Sequence, residues 1–174
     1  MWWREFKLAE KNRKLSVFIF SGIFLGVIIK LFVFDILTVS GSSMSPAIKD
    51  GQSVCVNRLA YGIALPFRGT FLVQWKTPRK GDAVIYLHDD KIVVKRCAAV
   101  GGDNLEFSGD SDYNLILGGN KIALTRNQYD MLKNYEKVPE GYIFALGDNY
   151  SESVDSRTYG FVSVKNITGK IIGR

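Results

Sequence analysis

The chain has 174 residues, 47% of them hydrophobic, and a net charge of +6. This length and composition suit one packed domain with an appendage and exclude a disordered chain. Half of the net charge lies in the first fourteen residues, and no basic stripe interleaved with aromatic residues follows, so no nucleic-acid binding is expected.

The first predicted element is a membrane anchor. Residues 15–29 carry no charge, and the apolar run continues to Phe34 after a single Lys30. Twenty helical residues cover about 30 Å, the thickness of the hydrocarbon core. We therefore divide the chain into a cytoplasmic basic N-terminus (1–14), a transmembrane anchor (15–37) and an extracytoplasmic domain (38–174).

The orientation of the anchor follows from its flanks. Five basic residues precede the run, which places the N-terminus in the cytoplasm, with Trp2 and Trp3 at the interface. The alternative is a cleaved secretory signal peptide, which also has a basic start and a short apolar core. No A-x-A-like site follows and the run is long, so we expect a retained single-pass anchor in the plasma membrane, in contact with lipid.

The sequence after the anchor predicts short strands. Runs of β-branched or aromatic residues bounded by Gly, Pro or Asp predict strands at 52–59, 69–75, 82–88, 91–100, 141–146, 160–164 and 167–173. Hairpin turns are predicted at Asp89 and Asp90 and at Gly118 and Gly119. One helix is predicted, at 124–135. The fold class is therefore mainly β, with short antiparallel strands and a smaller excursion around 105–140.

The cysteines and the histidine limit the chemistry. Cys55 and Cys97 lack the spacing of a metal or redox site; either they form a disulfide in an oxidising compartment or they are two separate half-buried thiols. The single histidine, His88, lies in a predicted polar turn. We expect no metal, no cofactor and no Ser-His-Asp triad.

A serine nucleophile in this chain therefore needs another base. A lysine can serve when burial keeps its amine neutral. Lys95 is the best candidate because it lies in the apolar strand "IVVKRCAAV". The alternative, that Lys95 lies on an exposed strand face, is equally compatible with this strand alone.

Three blocks of sequence resemble motifs of a known family, the type I signal peptidases. "GSSMSP" (41–46) resembles the nucleophile box G-x-S-M-x-P, and "KRCAAVGGD" (95–103) resembles the block that opens with the general-base lysine. "GDNYSESVDSRTYG" (147–160) resembles G-D-N-x-x-x-S-x-D-S-R-x-x-G. The blocks follow an anchor in the family's order, and the resemblance covers nearly the whole chain.

The resemblance implies a signal-peptidase-like all-β domain and a serine endopeptidase that removes N-terminal signal peptides at A-x-A-like sites. Ser43 would be the nucleophile and Lys95 the base, with an acyl-enzyme intermediate. Ser153 would hold the Lys95 amine, while the pair Asp155 and Arg157 supports the site.

Other positions follow the family less closely. Asp148 is expected to orient Arg157 or Ser153. The Ser43 backbone N–H would be one oxyanion donor; some members add a serine hydroxyl two residues earlier, where this chain has Gly41, so Ser42 is the candidate substitute. Tyr150, Ser151 and Glu152 replace the Arg-Asp-Asn often found in the third block, which predicts altered specificity.

The resemblance also implies substrates and pockets. The expected partners are secreted preproteins that carry signal peptides, with the protein-export machinery as a further candidate. Apolar residues are expected to form the substrate pockets: Leu37, Val39, Met44, Ile48, Val93 and Val94. Two alternatives stay open, a specialised peptidase of the same scaffold that matures pilins or conjugation proteins, and a non-catalytic membrane-anchored binding domain.

Overall fold

The computed structural model describes residues 2–64, 71–109 and 112–173. The chain starts with helix α1 (Trp2–Phe32). Its segment Lys11–Phe32, 22 residues long, is apolar enough to cross a membrane, and none of it is buried against the rest of the chain. At 1.5 Å per residue this segment spans about 33 Å, enough for the hydrocarbon core.

The helix ends earlier than the predicted anchor segment 15–37 does. Strand β1 (Phe34–Thr38) follows after one residue and pairs antiparallel with β2 (Ser53–Asn57). A guanidinium nitrogen of Arg58 donates to the Asp35 carboxylate at 2.6 Å. The last residues of the predicted anchor are therefore a strand, because an apolar run does not by itself distinguish helix from strand.

Five further strands join β1 and β2 in the main sheet: β5 (Ala83–His88), β6 (Lys91–Val100), β10 (Tyr142–Leu146), β11 (Val162–Ser163) and β12 (Ile167–Gly173). All neighbours in this sheet are antiparallel, and the strand order is β1-β2-β12-β5-β6-β10-β11. The mainly β fold predicted from the sequence is confirmed.

Two smaller units flank this sheet. β3 (Gly62–Ala64) pairs with β4 (Phe71–Gln74); residues 69 and 70 of the predicted strand 69–75 lie outside the described residues. A three-stranded sheet consists of β7 (Glu106–Ser108), β8 (Asn114–Leu117) and β9 (Asn120–Ala123). It precedes helix α2 (Arg126–Leu132), and we call β7 to β9 with α2 the excursion.

Both predicted hairpins are confirmed, and their turns have the expected geometry. Asp89 and Asp90 join β5 to β6 with φ of 48° and 58°. Gly118 and Gly119 join β8 to β9 with φ of 56° and 83°. Two successive left-handed residues match the right-handed twist of the strands that they connect.

The two cysteines lie on strands that are not neighbours. Cys55 is on β2 and Cys97 on β6, with β12 and β5 between them. Three strand spacings separate them by about 14 Å, well beyond the reach of a disulfide. Both cysteines are free thiols, which decides between the two interpretations of the sequence.

Candidate active site

Ser43 lies in a tight turn that follows β1. The turn starts at Gly41, whose φ of 95° favours glycine and whose N–H donates to an Asp50 carboxylate oxygen at 2.7 Å. Met44 is completely buried and packs with Ile48 in one apolar cluster under the turn. The bonded turn at Gly41 and the buried Met44 therefore fix the backbone before and after Ser43.

Lys95 reaches this turn from the middle of β6. Its Nζ lies 2.8 Å from Ser43 Oγ, and only 5% of the residue is exposed. The interpretation of Lys95 as an exposed surface residue is therefore wrong. Burial lowers the pKa of the Lys95 ammonium below its ordinary value, and Arg157 adds to this effect, while Asp155 and Asp148 oppose it.

A loop from Gly147 to the short helix α3 (Ser156–Tyr159) closes the site from a third side. The N–H of Asn149 donates to the Ser43 carbonyl at 3.0 Å. A Cβ at Gly147 would lie 2.2 Å from Ser153 Oγ and 2.5 Å from the Ser43 carbonyl oxygen. The nucleophile turn and this loop are therefore packed so closely that only glycine fits at residue 147.

A buried ion pair holds the loop in shape. Arg157 and Asp155 form two hydrogen bonds of 2.8 and 2.9 Å, and both residues are almost fully buried. The second Asp155 oxygen also accepts the Gly147 N–H at 3.0 Å, and Arg157 donates to the carbonyls of Tyr150 and Ser153. The pair thus satisfies backbone groups on both sides of the loop.

Two predicted contacts are not present. Ser153 Oγ is buried and has no hydrogen-bond partner among the described residues, so the predicted bond to Lys95 is not formed in this structure. Asp148 does not orient Arg157 or Ser153, since it pairs with Arg96 through two bonds of 2.7 and 2.6 Å. Arg96 follows Lys95 within the second block, but this position does not reveal its partner, which depends on how β6 packs against the loop.

The hydrogen bonds of Ser42 and Ser43 show which of the expected oxyanion donors is free. The Ser42 hydroxyl bonds the Glu152 carboxylate, so in this structure it is not free to act as the side-chain donor. The Ser43 N–H has no backbone or side-chain acceptor among the described residues. It is therefore available to an oxygen that approaches Ser43 Oγ.

A cleft of about 290 Å³ opens beside the two side chains. One wall is the end of β1 and the residues after it, the other is the start of β6, and Ser43 and Lys95 lie at its end. Five of the six predicted pocket residues line it: Leu37, Val39, Met44, Val93 and Val94. Ile48 does not, because it is buried beneath the turn and packs on Val39 and Met44.

Both walls present unpaired strand edges. β1 is the edge strand of the sheet, and β10 pairs with β6 only between Arg96 and Val100 in the described part of the chain. The backbone of β6 before Lys95 is therefore open on the side away from β5. An extended peptide in the cleft would find backbone donors and acceptors on either side.

The described residues contain no group of three or more His, Cys, Asp or Glu side chains placed to bind a metal ion. The site offers a serine hydroxyl, a desolvated lysine amine and a free backbone N–H. This combination suits nucleophilic attack on a carbonyl carbon.

Comparison with known proteins relates the chain to one family. A family model described as "Signal peptidase, peptidase S26" matches residues 12–174. Signal peptidase I of Bacillus caldolyticus is 31% identical over 159 residues, covering 82% of this chain and 80% of that protein. Signal peptidase I of Bacillus licheniformis is 30% identical over 178 residues, covering 91% and 88%. A crystal structure of a signal peptidase I from Enterococcus faecalis matches 56% of this chain and 98% of its own, with 24% identity and a TM-score of 0.41.

Proposed function

Because the chain belongs to the signal peptidase family S26, we propose that it cleaves signal peptides from exported preproteins, with Ser43 as the nucleophile and Lys95 as the base. Membership makes the chain a serine peptidase, a hydrolase of peptide bonds. The observation that carries the assignment of residues is the 2.8 Å contact between Ser43 Oγ and the buried Lys95 Nζ.

The proposed reaction has two halves. Neutral Lys95 accepts the Ser43 proton while Oγ attacks the scissile carbonyl carbon, and the resulting oxyanion receives a hydrogen bond from the Ser43 N–H. The C–N bond then breaks, and the leaving amine takes the proton from Lys95. In the second half, water gives a proton to Lys95 and attacks the carbonyl carbon of the acyl ester. The ester C–O bond then breaks, and Lys95 returns this proton to Ser43 Oγ, which releases the signal peptide and restores both side chains.

The loop from Gly147 to Arg157 has a positioning role in this proposal. Asn149 and the pair of Asp155 and Arg157 hold the Ser43 turn against Lys95. The unpartnered Ser153 hydroxyl is the group that can accept a hydrogen bond from the Lys95 amine when the serine oxygen is engaged in the ester. A buried hydroxyl without a partner destabilises the fold, and a hydrogen bond from Lys95 during the reaction would explain why Ser153 has one here.

The cleft supports selection of small side chains before the cut. A peptide that lies between the edges of β1 and β6 is extended, so alternate side chains point to the same wall. Leu37, Val39 and Val94 make these walls apolar, and the buried Met44 closes the cleft below. Small residues at the first and third positions before the cut then give the A-x-A pattern.

The anchor brings this cleft to the membrane. Leu37, the first cleft residue, lies five residues beyond the end of α1, a reach of about 17 Å in an extended strand. We propose that residues 1–14 are cytoplasmic, that the part of α1 after residue 14 crosses the plasma membrane once, and that the domain after residue 38 acts at the outer surface. A signal peptide in the same bilayer would then present its cleavage site at the level of the cleft, next to the protein-export machinery.

The test is cleavage of a precursor with an Ala-x-Ala site by the full-length protein in detergent. Ser43→Ala and Lys95→Ala should each lower kcat/KM by at least about a thousandfold. Ser108→Ala and Lys121→Ala, at exposed positions of the excursion, are the matched controls and should cleave like wild type.

Two outcomes would contradict the proposal. Activity in Ser43→Ala or Lys95→Ala equal to that of wild type would exclude the dyad, and loss of activity with EDTA would point to a metal. If wild type cleaves a pilin or conjugation precursor and leaves the general one intact, the specialised peptidase is the correct version of this function.

A further inference from the structure

Glu152 presents a carboxylate beside the nucleophile, outside the cleft. We propose that this carboxylate selects substrates by the charge of the first residues of the mature chain, favouring basic residues there and disfavouring acidic ones. This inference rests on the proposed function and adds a determinant on the other side of the scissile bond.

The position of Glu152 follows from its hydrogen bond. Its carboxylate accepts a hydrogen bond from the hydroxyl of Ser42, the residue immediately before the nucleophile. The cleft is lined by Ser40 and Ser43 but by neither Ser42 nor Glu152. If the residues before the cut fill the cleft, the chain after the cut continues past Ser43 outside the cleft, where Ser42 and Glu152 also lie.

The charge of Glu152 is not compensated, unlike that of its acidic neighbours. Asp148 is paired with Arg96 and Asp155 with Arg157, each through two short hydrogen bonds. Among the described residues Glu152 has no Lys, Arg or His nitrogen within 4.0 Å, and its side chain is exposed. It is therefore the carboxylate of this loop that is free to interact with a charged substrate.

The hydrogen bond from Ser42 also restricts the Glu152 side chain. A carboxylate fixed in this way keeps its direction, whereas a free surface glutamate samples many rotamers. A lysine within about 6 Å at an effective dielectric constant of about 40 gains roughly a tenfold advantage over a neutral residue.

The experiment compares precursors that differ at one residue. Three substrates share a signal peptide and an Ala-x-Ala site and carry Lys, Gln or Asp at the second position after the cut. For full-length wild type at low salt, kcat/KM should be at least about tenfold higher for Lys than for Asp, and this ratio should fall toward one at 0.5 M NaCl because salt screens exposed charges.

Variants separate the charge from the hydrogen bond. Glu152→Gln should bring the ratio of Lys to Asp close to one, and Glu152→Lys should invert it. Ser42→Ala removes the hydroxyl but keeps the carboxylate, so it should retain a clear preference for Lys. Because each result is a ratio within one protein, a general loss of activity does not change the interpretation.

Several results would overturn the inference. It fails if wild type shows a ratio of one, if Glu152→Gln keeps the wild-type ratio, or if Ser42→Ala loses the preference as fully as Glu152→Gln does, since Glu152 would then act only through Ser42. The proposed function fails on a different observation, namely cleavage of the Gln substrate by Ser43→Ala at the wild-type rate.

Discussion

The loop from Gly147 to Arg157 and the excursion are both short segments outside the long strands, but different forces hold them. The excursion encloses an apolar cluster that includes Leu115, Ile122 and Leu132. Of the six buried polar or charged residues in the described chain, five are Lys95 and members of the site loop and its helix, and only Asn114 belongs to the excursion. The excursion therefore tolerates surface changes, whereas the site loop depends on pairs that must both be present.

The largest expected effect comes from breaking such a pair. Asp155→Ala leaves the Arg157 guanidinium buried without its carboxylate and removes the acceptor of the Gly147 N–H. The free energy of unfolding should fall by about 3–5 kcal/mol, measured by urea titration of the detergent-solubilised protein.

The matched control is Asp130, an acidic residue of the excursion. Asp130→Ala removes two ion pairs on the exposed face of α2, with Arg126 and Lys133. Its free energy of unfolding should equal that of wild type within error, because water and side-chain entropy cancel most of an exposed ion pair. Equal losses in both variants would show that burial does not distinguish the two regions.

A second comparison uses two glycines. Gly147→Ala places a Cβ against Ser153 Oγ and the Ser43 carbonyl, so the nucleophile turn must move away from the loop. We expect a loss of about 1–3 kcal/mol in the free energy of unfolding from overpacking. A shift of the turn by about 1 Å would also lower kcat/KM by about a hundredfold.

Gly118→Ala tests the same substitution in the excursion. The added Cβ meets no atom within 4 Å, but φ of 56° is unfavourable for alanine. The cost should be about 1 kcal/mol in the free energy of unfolding, with kcat/KM unchanged. A loss of activity in Gly118→Ala equal to that in Gly147→Ala would contradict the assignment of the site to the loop.

The sequence predicted these two regions to different degrees. The Gly118 and Gly119 turn was predictable because a left-handed pair has a local signature, and the same holds for Asp89 and Asp90. The pairing of Ser43 with Lys95 was expected only through the family resemblance, since 52 residues separate the two and no local pattern fixes their distance.

Contacts between side chains were harder to predict. The pairing of Asp148 with Arg96 depends on how β6 and the site loop meet, and the bond between Ser42 and Glu152 spans 110 residues. Strand β1 was missed because Phe34 and its neighbours continue the apolar run of the anchor, and only the pairing with β2 makes them a strand. Tertiary packing decides each of these cases.

The smallest expected change in the free energy of unfolding concerns Lys95, a residue that the proposed reaction requires although its burial destabilises the fold. The pKa of Lys95 is lowered chiefly because burial disfavours the ammonium form. Below that pKa the folded protein holds the ammonium away from water, whereas water solvates it in the unfolded chain, so this charge destabilises the fold. Lys95→Met should therefore raise the free energy of unfolding at pH 7 by about 1 kcal/mol while abolishing cleavage. The gain should shrink as the pH rises from the lowered pKa toward the ordinary lysine value of about 10.4, because the unfolded chain then loses its proton as well.

Lys121→Met, at an exposed position of β9, should change neither stability nor its pH dependence. Urea titrations of the three proteins at several pH values give these free energies of unfolding. A Lys95→Met variant less stable than wild type would contradict the prediction, because it would mean that the contacts of Lys95 stabilise the fold.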